Sequence, residues 1–340
     1  MSTSKIKISI IFPSFNGEDV IFKNLKSIQN LINLNETELI IVDNNSKDST
    51  IEVIKSFKNK INIHLIEQKI NLGFAEACNI AVIKAKGDFI YITNQDVIFP
   101  NDFFIILLSI YKKIKKNKEV VISPAVVFPG KYINYFGAKI HFLGFSYTPE
   151  MYHKIPVKRG TFKTLKAAGC SMFMKRKIFM ELNGFDSFFF MYHEDTDYSL
   201  RAIRNNIIIY TTNETLLHHQ KIHMSINEFT YYYIERNRYI VIYKNIENLI
   251  RLIPYFIISE LMLLFQAVLT RKIRLRLKIY KFLIQNFKQI RYLRLNKFNS
   301  KFRKINKNDL NTHIDPIILG RILSRVQILR FFLKIINLIL

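Results

Sequence analysis

The amino-acid sequence predicts an α/β fold built on a mostly parallel sheet with helices on both faces. Short apolar runs alternate with longer amphipathic stretches between residue 5 and about residue 127. The runs are continuous rather than interrupted by polar residues, which is typical of strands buried on both faces of a parallel sheet. A chain of 340 residues with 49% hydrophobic side chains has room for a full catalytic domain and an appendage, or for two modest domains.

Five strands are predicted in this region, and helices follow the first four of them. The strands are IKISIIF (6–12), ELIIVD (38–43), INIHLIE (61–67), DFIYIT (88–93) and VVISPAVVF (120–128). The helices are expected at 19–34, from about 48, at 74–86 and from about 100. Ligands of such sheets bind beyond the carboxyl ends of the strands. The segments of interest are therefore PSFN, DNNSKDST, NLGF and NQD, which follow the first four strands.

The second half of the predicted domain is less regular. Residues 129–165 have aromatic residues, Gly and Pro without clear periodicity, and we interpret them as an irregular insert or lid. Between residues 166 and 238 the pattern indicates a strand, a short helix, a turn, a helix that opens with acidic residues, and the strand IIIYT. We therefore predict one catalytic domain over residues 1–245, with halves at 1–127 and 128–245.

The remaining residues, 246–340, are predicted to form a helical, apolar and strongly basic tail. The chain carries a formal charge of +25, of which +16 lies in its last hundred residues. Residues 252–270 include one charge, Glu260, and approach the length of about 20 apolar residues that spans a bilayer. Residues 271–304 follow with 13 Lys and Arg and no acidic residue, and 317–340 end the chain as a second apolar stretch with scattered cations.

Cations mixed with Leu, Ile and Phe favour an anionic membrane surface over nucleic acid as the partner of this tail. We predict peripheral or monotopic attachment, with a true membrane span and helix packing in a homo-oligomer as the open alternatives. The apolar run Ile8–Phe12 is too short for the core of a signal peptide and ends at Pro13. The catalytic domain is therefore expected in the cytosol, at the cytoplasmic face of the cell membrane.

Two aspartates are expected in one crevice, because each follows a strand of the same sheet. Asp43 ends the second strand and Asp96 follows the fourth, with Asn71, Gly73 and Asn79 between them in the sequence. Each aspartate could simply cap the next helix, but two of them in one crevice favour ligand binding. The sequence has no Gly-rich phosphate loop, so a phosphate leaving group would need a metal, and Asp96 offers a hard oxygen ligand for Mg²⁺ or Mn²⁺.

Further candidates come from an acidic cluster and a group of histidines. Glu194 to Asp197 could compensate a helix dipole. The cluster follows the apolar segment FFFMY, however, and desolvation raises the pKa of a carboxyl group and makes it a better base. His218, His219 and His223 lack the further ligands of a zinc site. One of them could instead complete the shell of ligands around a metal or a diphosphate. A structural role is the alternative.

The order of these motifs resembles that of one known family. The chain contains, in order, strand-PSFN, VDNNSKDST, NLGFAEACNIAVIKAKGDFIYITNQDVIF, AAGCSMFMKRKIF, GFDSFFFMYHEDTDYSLR and an HH…S…RNR stretch. This series resembles family 2 glycosyltransferases, the inverting enzymes of the GT-A fold. It particularly resembles the rhamnosyltransferase-like branch, which builds bacterial surface polysaccharides. The resemblance covers residues 6 to about 245.

The resemblance implies that the first half of the domain, 1–127, binds a nucleotide sugar. The positions concerned are Pro13, Phe15 and Asp43 around the nucleoside, Asn71, Gly73 and Asn79 at the crevice floor near the ribose and the base, and Asn94 and Asp96 in place of the family's Asp-x-Asp motif. Asp96 would be the metal ligand. Asn94 puts a neutral amide where the motif has its first carboxylate, as in the rhamnosyltransferase-like branch.

In the acceptor half, 128–245, the resemblance implies the groups that carry the reaction. They are Gly169 beside the acceptor or donor sugar, Asp195 as the catalytic base, Glu194 as its support, and His219 beside the diphosphate or the metal. The family spaces its His and Ser slightly more closely than His219 and Ser225, so His218 is an alternative to His219.

The implied reaction is the inverting transfer of a sugar from a nucleoside-diphosphate sugar to a hydroxyl of a glycan or lipid-linked saccharide, with Mg²⁺ or Mn²⁺ as cofactor. One alternative is a polyprenyl-phosphate sugar synthase of the same fold, whose phosphate acceptor needs no base, and Asp195 argues against it. Another is a non-catalytic glycan-binding or scaffold protein with a degenerate site. Asn94 supports that interpretation, whereas Asp96, Asp195 and His219 oppose it.

Overall fold

The computed structural model describes residues 6–115, 118–156, 158–221, 227–246 and 248–298. These residues form two compact units. The first unit holds the described residues of 1–138 and 150–224, and the second holds those of 139–149 and 225–340. The site residues predicted from the sequence all belong to the first unit. The domain boundary at residue 245 stays a prediction, and this division assigns residues 225–245 to the second unit.

The strands are defined as follows. They are β1 (Ile8–Ser14), β2 (Thr37–Asp43), β3 (Ile63–Glu67), β4 (Phe89–Thr93), β5 (Val97–Ile98), β6 (Val120–Phe128), β7 (Tyr132–Tyr135), β8 (Lys139–Ile140), β9 (Ser146–Tyr147), β10 (Thr161–Lys163), β11 (Ser171–Lys175) and β12 (Ile208–His219). In the second unit β8 pairs with β9, and the other ten strands form one sheet in the first unit. The segment expected to be irregular, 129–165, thus contains four short strands.

The large sheet is mostly parallel along its length and has the order β10-β12-β6-β11-β4-β1-β2-β3, with β5 paired to β12 and β7 to β6. The pairs β1–β2, β1–β4, β2–β3 and β6–β12 are parallel, and β11 runs antiparallel between β4 and β6. The predicted α/β fold with a mostly parallel sheet is confirmed. The carboxyl ends of β1, β2, β4 and β12 meet at one edge, and the candidate residues lie there.

The helices of the first unit cover both faces of this sheet. They are α1 (Glu18–Gln29), α2 (Thr50–Lys55), α3 (Gly73–Lys84), α4 (Phe103–Ile114), α5 (Arg176–Glu181) and α6 (Glu194–Arg204). Successive strand residues point to opposite faces, so Ile10 packs with α1 and α4 while Ile11 packs with α3, α5 and α6. Each buried side chain of this kind contributes about 1.5–3 kcal/mol. The two apolar layers hold the strand ends in place beneath the site.

The described part of the second unit contains four further helices, three of which meet at a buried ionic cluster. They are α7 (Glu228–Asn245), α8 (Ile253–Leu269), α9 (Ile273–Gln285) and α10 (Phe287–Phe298). Arg276 of α9 donates to Glu235 of α7 (2.6 Å) and to Glu260 of α8, while Arg238 also donates to Glu235 (3.1 Å). Both guanidinium groups are fully buried. Because an unpaired buried charge is costly, this cluster fixes the register of three helices.

Helix α8 presents an apolar face outwards, because its one charged residue, Glu260, points into that cluster. The exposed side chains recur every three or four residues, and they are Ile253, Ile257, Ile258, Leu261, Phe265, Val268 and Leu269. Among the described residues, one stretch of 21 residues, Leu249–Leu269, is long enough and apolar enough to cross a membrane. The apolar stretch 317–340, and the basic stretch beyond residue 298, lie outside the described residues.

Candidate active site

Asp43 ties together the loops that follow β1 and β2. Its carboxylate accepts hydrogen bonds from the Ser14 hydroxyl (2.8 Å), the Ser46 amide (2.8 Å) and the Ser46 hydroxyl (2.6 Å). Asp43 is fully buried, and a buried carboxylate is stable only when its oxygens are satisfied. The structure therefore gives Asp43 the role of fixing the two loops. Its contact with a nucleoside stays a prediction, as does that of Pro13 within β1.

The loop after β1 is also joined to the loop after β4, through Gln95. The Gln95 side chain accepts a hydrogen bond from the Phe15 amide (3.1 Å) and donates one to the Phe15 carbonyl (3.0 Å). The Phe15 ring beside this link is 43% exposed, so one aromatic face is open to a planar ligand such as a base. Gln95 belongs to the NQD segment that the sequence pattern indicated, but no role was predicted for it. Its one signal is its position between Asn94 and Asp96.

The start of α3 lies against the segment that precedes Glu194. Gly73 has a φ of +80°, and a Cβ at this position would lie 2.4 Å from the Phe190 carbonyl oxygen. The same oxygen accepts a hydrogen bond from the Ala75 amide (3.1 Å). Asn71 stabilises the turn by accepting from the Gly73 amide (2.8 Å). Both the conformation and the space therefore require glycine at position 73.

Asn79, further along α3, supports a neighbouring turn. Its side-chain amide donates to the Phe185 carbonyl (2.8 Å) and accepts from the Phe185 amide (2.9 Å). The turn contains Gly184, where a Cβ would lie 2.5 Å from Asn79 Oδ1. These contacts give Asn79 a role in holding the chain that leads towards Glu194. Its predicted place near the ribose and the base stays a prediction.

Asp96 and His219 form a pair at the sheet edge. Asp96 lies just before β5, and the pairing of β5 with β12 sets His219 opposite Val97. His219 Nδ1 lies 3.3 Å from Asp96 Oδ2. Burial disfavours the imidazolium most strongly, but the hydrogen bonds to Asp96 and Cys170, together with the charge of Asp96, outweigh it and raise the pKa of His219 to about 10. Burial likewise opposes ionisation of Asp96, yet the hydrogen bond and the charge of His219, with the charge of Lys221, keep the pKa of Asp96 below its usual value.

The geometry favours His219 over its neighbour His218. Successive side chains of a strand point to opposite faces, so His218 is directed away from the face that carries Asp96. Burial lowers the pKa of His218, and Lys131 adds to this effect. His223, the third histidine of the group, lies outside the described residues.

The Asp96–His219 pair fits a divalent cation bound mainly by substrate. Asp96 Oδ1 is buried and has no hydrogen-bond partner in the described part of the chain, so one carboxylate oxygen is available to a cation. Among the described residues no group of three or more His, Cys, Asp and Glu side chains forms a closed metal cage. Mg²⁺ often takes one or two carboxylates and completes its shell with phosphate oxygens and water. Asp96 could hold such an ion, and His219 could join it once the cation has displaced the proton that the raised pKa of the imidazole retains.

Glu194 and Asp195 begin α6, after a backbone segment with unusual torsion angles. Phe190, Tyr192 and His193 all have φ between +64° and +67°. Non-glycine residues rarely adopt this region, and such strain is found mostly where a site needs a special geometry. The two carboxyl groups are nearly buried, with residue exposures of 5% and 9%. The helix N-terminus favours negative charge at both positions.

Asp195 is held by four hydrogen-bond donors. Its Oδ2 lies 3.0 Å from Lys166 Nζ and accepts from the Gly169 amide (3.0 Å). Its Oδ1 accepts from the Thr196 amide (2.6 Å) and the Thr196 hydroxyl (3.2 Å). Gly169 thus binds the carboxylate directly, and a Cβ there would lie 3.2 Å from Glu194 Oε1. Lys166 is a site residue that no sequence motif indicated.

The two carboxyl groups have different pKa shifts. Burial, together with the neighbouring charge of Asp195, raises the pKa of Glu194 to about 8. Burial acts on Asp195 too, but Lys166 and the Gly169 amide hold its pKa below the usual value. Desolvation was expected to make the base of this cluster more basic. In the structure the raised pKa belongs to Glu194, so near neutral pH Glu194 is protonated and Asp195 is ionised.

The Gly169–Cys170 dipeptide lies between the two clusters. The Gly169 amide binds Asp195, while the Cys170 carbonyl accepts a hydrogen bond from the Thr93 hydroxyl (2.8 Å) at the end of β4. The Cys170 thiol also interacts with the imidazole of His219. The Asp96–His219 pair and an ionised carboxylate are thus neighbours at the sheet edge. This arrangement can stabilise a leaving anion and accept a proton in the same crevice.

Glu194→Gln should remove one part of the pH dependence of stability. The Glu194 carboxyl has a pKa of 4.5 when unfolded and about 8 when folded, so its contribution to stability is present below pH 4.5 and is lost as pH rises to about 8. The shift corresponds to roughly 5 kcal/mol. The free energy of unfolding, measured by chemical denaturation near pH 5 and near pH 9, should fall less between these pH values in the variant than in wild type. Glu52→Gln, at an exposed position of α2, is the control. A fall of wild-type size in Glu194→Gln would contradict this assignment.

Comparison with known proteins gives one family and several relatives. The profile described as Glycosyl transferase family 2 matches residues 9–182, so the match ends before Glu194 and His219. Poly(ribitol-phosphate) beta-glucosyltransferase of Bacillus spizizenii is 35% identical over 94 residues, which are 27% of this chain and 15% of that protein. Poly-beta-1,6-N-acetyl-D-glucosamine synthase of Staphylococcus epidermidis is 25% identical over 119 residues, 35% of this chain and 29% of that protein. The aligned parts cover less than a third of either relative.

A similar fold occurs in the crystal structure of GalNAc-T7 with UDP, GalNAc and Mn²⁺. The TM-score is 0.58 at 14% sequence identity, over 72% of this chain and 48% of that one. At this level of identity the likeness concerns the fold alone.

Proposed function

Because the chain belongs to glycosyl transferase family 2 and has the GT-A fold, we propose that it transfers a sugar from a nucleoside-diphosphate sugar to a hydroxyl group of a glycan or lipid-linked saccharide. One observation carries this proposal: the Gly169–Cys170 dipeptide contacts an ionised carboxylate, Asp195, through the Gly169 amide and the Asp96–His219 pair through the Cys170 thiol. Asp195 is ionised and can accept a proton as a general base, and the Asp96–His219 pair can stabilise the departing diphosphate.

The proposed reaction is a single displacement with inversion. The acceptor oxygen forms a bond to the anomeric carbon while the bond from that carbon to the diphosphate oxygen breaks. The bonding pair leaves on the diphosphate, and the acceptor proton passes to Asp195. Glu194, protonated near neutral pH, keeps the carboxyl pair at a single negative charge. A divalent cation held by Asp96 and His219 would neutralise charge on the departing diphosphate.

The names of the relatives support a role in polysaccharide synthesis at the cell surface. One relative is named for glucosyl transfer to poly(ribitol phosphate) and another for synthesis of poly-N-acetylglucosamine. We propose a polymer of this general kind as the product, with a hexose or deoxyhexose as the transferred sugar. Membership of the rhamnosyltransferase-like branch stays a prediction that rests on Asn94 and the motif order.

Donor hydrolysis tests the proposed activity most directly. The full chain is incubated with a series of nucleotide sugars, and release of the nucleoside diphosphate is measured with Mn²⁺, with Mg²⁺ and with a chelator. UDP sugars come first, because the structural neighbour GalNAc-T7 was solved with UDP and Mn²⁺. We expect slow hydrolysis of one or a few donors, dependent on the cation. If no nucleotide sugar is bound or cleaved, the proposed function is wrong.

We also propose that the second unit attaches the protein to the cytoplasmic face of the membrane. The outward face of α8 is apolar along the whole helix, and exposed cations follow it at Arg274, Lys281 and Lys288. An apolar face beside cations matches a bilayer surface that contains anionic lipid. Attachment of this kind would bring the catalytic unit to a lipid-linked acceptor.

Ile257→Glu and Leu261→Glu should each weaken membrane binding at least about tenfold, because each removes apolar burial and adds a charge. Both side chains are more than half exposed on α8, so the fold should tolerate the changes. Sedimentation with vesicles of phosphatidylcholine and phosphatidylglycerol measures the binding, which should also weaken with salt. Ile83→Glu is the matched control, since Ile83 is 62% exposed on α3. Unchanged binding in both α8 variants, with a change in oligomeric state, would make this face a subunit interface instead.

A further inference from the structure

Lys166 occupies a position that the acceptor hydroxyl would need. A carboxylate offers about four lone-pair directions to donors. In Asp195 they are taken by Lys166, the Gly169 amide, and the amide and hydroxyl of Thr196. An acceptor hydroxyl must donate to this carboxylate before its proton can be transferred. One of the present donors therefore has to leave when the acceptor binds.

Lys166 is the donor best able to leave. The Gly169 and Thr196 amides are fixed by the backbone, and Thr196 is fully buried. Lysine has a flexible four-carbon side chain, and that of Lys166 is 17% exposed. A partly buried ammonium group that loses its partner is stabilised by pairing with another anion, because an unpaired charge there is costly. Glu194 is close by, but its pKa of about 8 keeps it neutral near pH 7.

The chain that leads to Lys166 is basic. Residues 150–166 contain five Lys and Arg and one acidic residue, Glu150, which lies 3.6 Å from His153. The four other cations are exposed, and they are Lys154, Lys158, Arg159 and Lys163. A concentration of like charge raises the local concentration of opposite charge and speeds its arrival. The segment therefore favours the approach of an anionic ligand to the site.

We propose that Lys166 is an anion-binding residue, which passes from Asp195 to a phosphate or carboxylate group of the acceptor as the acceptor binds. The substrate class would then be acceptors that carry such a group close to the reacting hydroxyl. Loss of Lys166 from the carboxylate leaves one lone pair of Asp195 Oδ2 open to that hydroxyl, while the Gly169 amide stays bound to the same oxygen. An acceptor without the anion leaves the base blocked. The inference rests on the proposed glycosyl transfer and names its acceptor class.

Binding of methyl phosphate to the full chain, without donor or metal, tests the proposal. Calorimetry should give at least about tenfold weaker binding for Lys166→Met than for wild type. Lys166→Arg should retain binding, because it keeps the charge. Lys84→Met, at an exposed position of α3 outside the basic segment, should bind as wild type does. Equal affinity of wild type and Lys166→Met, or no binding to wild type, would overturn the proposal.

A second measurement separates the acceptor from the donor as the source of the anion. Affinity for UDP in the presence of Mn²⁺ should be the same in wild type and all three variants, which also reports that the fold is intact. If Lys166→Met lost UDP affinity about tenfold as well, Lys166 would serve the donor diphosphate and the acceptor assignment would be wrong. Failure of wild type itself to bind any nucleotide would contradict the proposed function. Methyl phosphate binding tests the inference about Lys166 independently of that result.

Discussion

Asp195→Asn should lower turnover at least about 10²-fold while nucleotide-sugar binding stays near its wild-type level. The side-chain amide has the shape of the carboxylate and can still accept a hydrogen bond from the Gly169 amide. It cannot take a proton at any accessible pH. Glu194 is a poor substitute, because it is protonated up to about pH 8. Initial rates at saturating donor, with binding measured separately by calorimetry, separate the loss of the base from a loss of affinity.

The matched control for this variant is Asp102→Asn. Asp102 is an exposed aspartate just before α4, and its side chain makes no capping hydrogen bond there. It should therefore keep both turnover and stability. Near-normal turnover of Asp195→Asn would exclude Asp195 from the mechanism. Equal losses of turnover and donor affinity would instead indicate that the variant has disturbed the loop around Gly169.

Asp96→Ala should remove the cation-dependent part of nucleoside-diphosphate binding, a loss of about 10²-fold or more. No Gly-rich loop is present to hold the phosphates by other means, so the cation and its carboxylate carry this binding. Titration of UDP in the presence and absence of Mn²⁺ measures the effect. Asp19→Ala is the control, since Asp19 is an exposed aspartate paired with Lys221. Wild-type affinity that is equal with and without Mn²⁺ would mean that the protein uses no metal.

The parallel sheet could be predicted from the sequence because its central strands β1, β2, β4 and β6 are buried on both faces. That burial requires continuous apolar runs, and ELIIVD and VVISPAVVF are found as β2 and β6 with almost the same limits. Residues at strand ends, such as Asp43 and Asp96, could also be located, because the carboxyl ends of parallel strands share an edge. The register of β12 against β5, which sets His219 beside Asp96, depends on tertiary pairing, and for this reason the sequence left His218 as an alternative to His219.

The partners of the site residues were harder to predict than the residues themselves. Lys166 lies 29 positions before Asp195, and Gln95 lies 80 positions after Phe15. Only the fold brings such residues together. They are too far apart in the sequence for the periodicity of one helix or strand to indicate the contact. The raised pKa belongs to Glu194 and not to Asp195 for the same reason, because it depends on the position of the Lys166 ammonium group beside Asp195. Glu260 is a further example: in the sequence it interrupts an apolar stretch, and in the structure it pairs with Arg276.

The double hydrogen bond between Gln95 and the backbone of Phe15 matters for attempts to redesign the donor specificity. A loop grafted after β1 from another enzyme would have to place a backbone amide and carbonyl where those of Phe15 lie, or Gln95 would lose both hydrogen-bond partners. A graft after β4 that replaced Gln95 would free the loop after β1 in the same way. Exchange of either loop alone should therefore give poorly folded chimeras, whereas a joint transplant of both loops should keep them aligned.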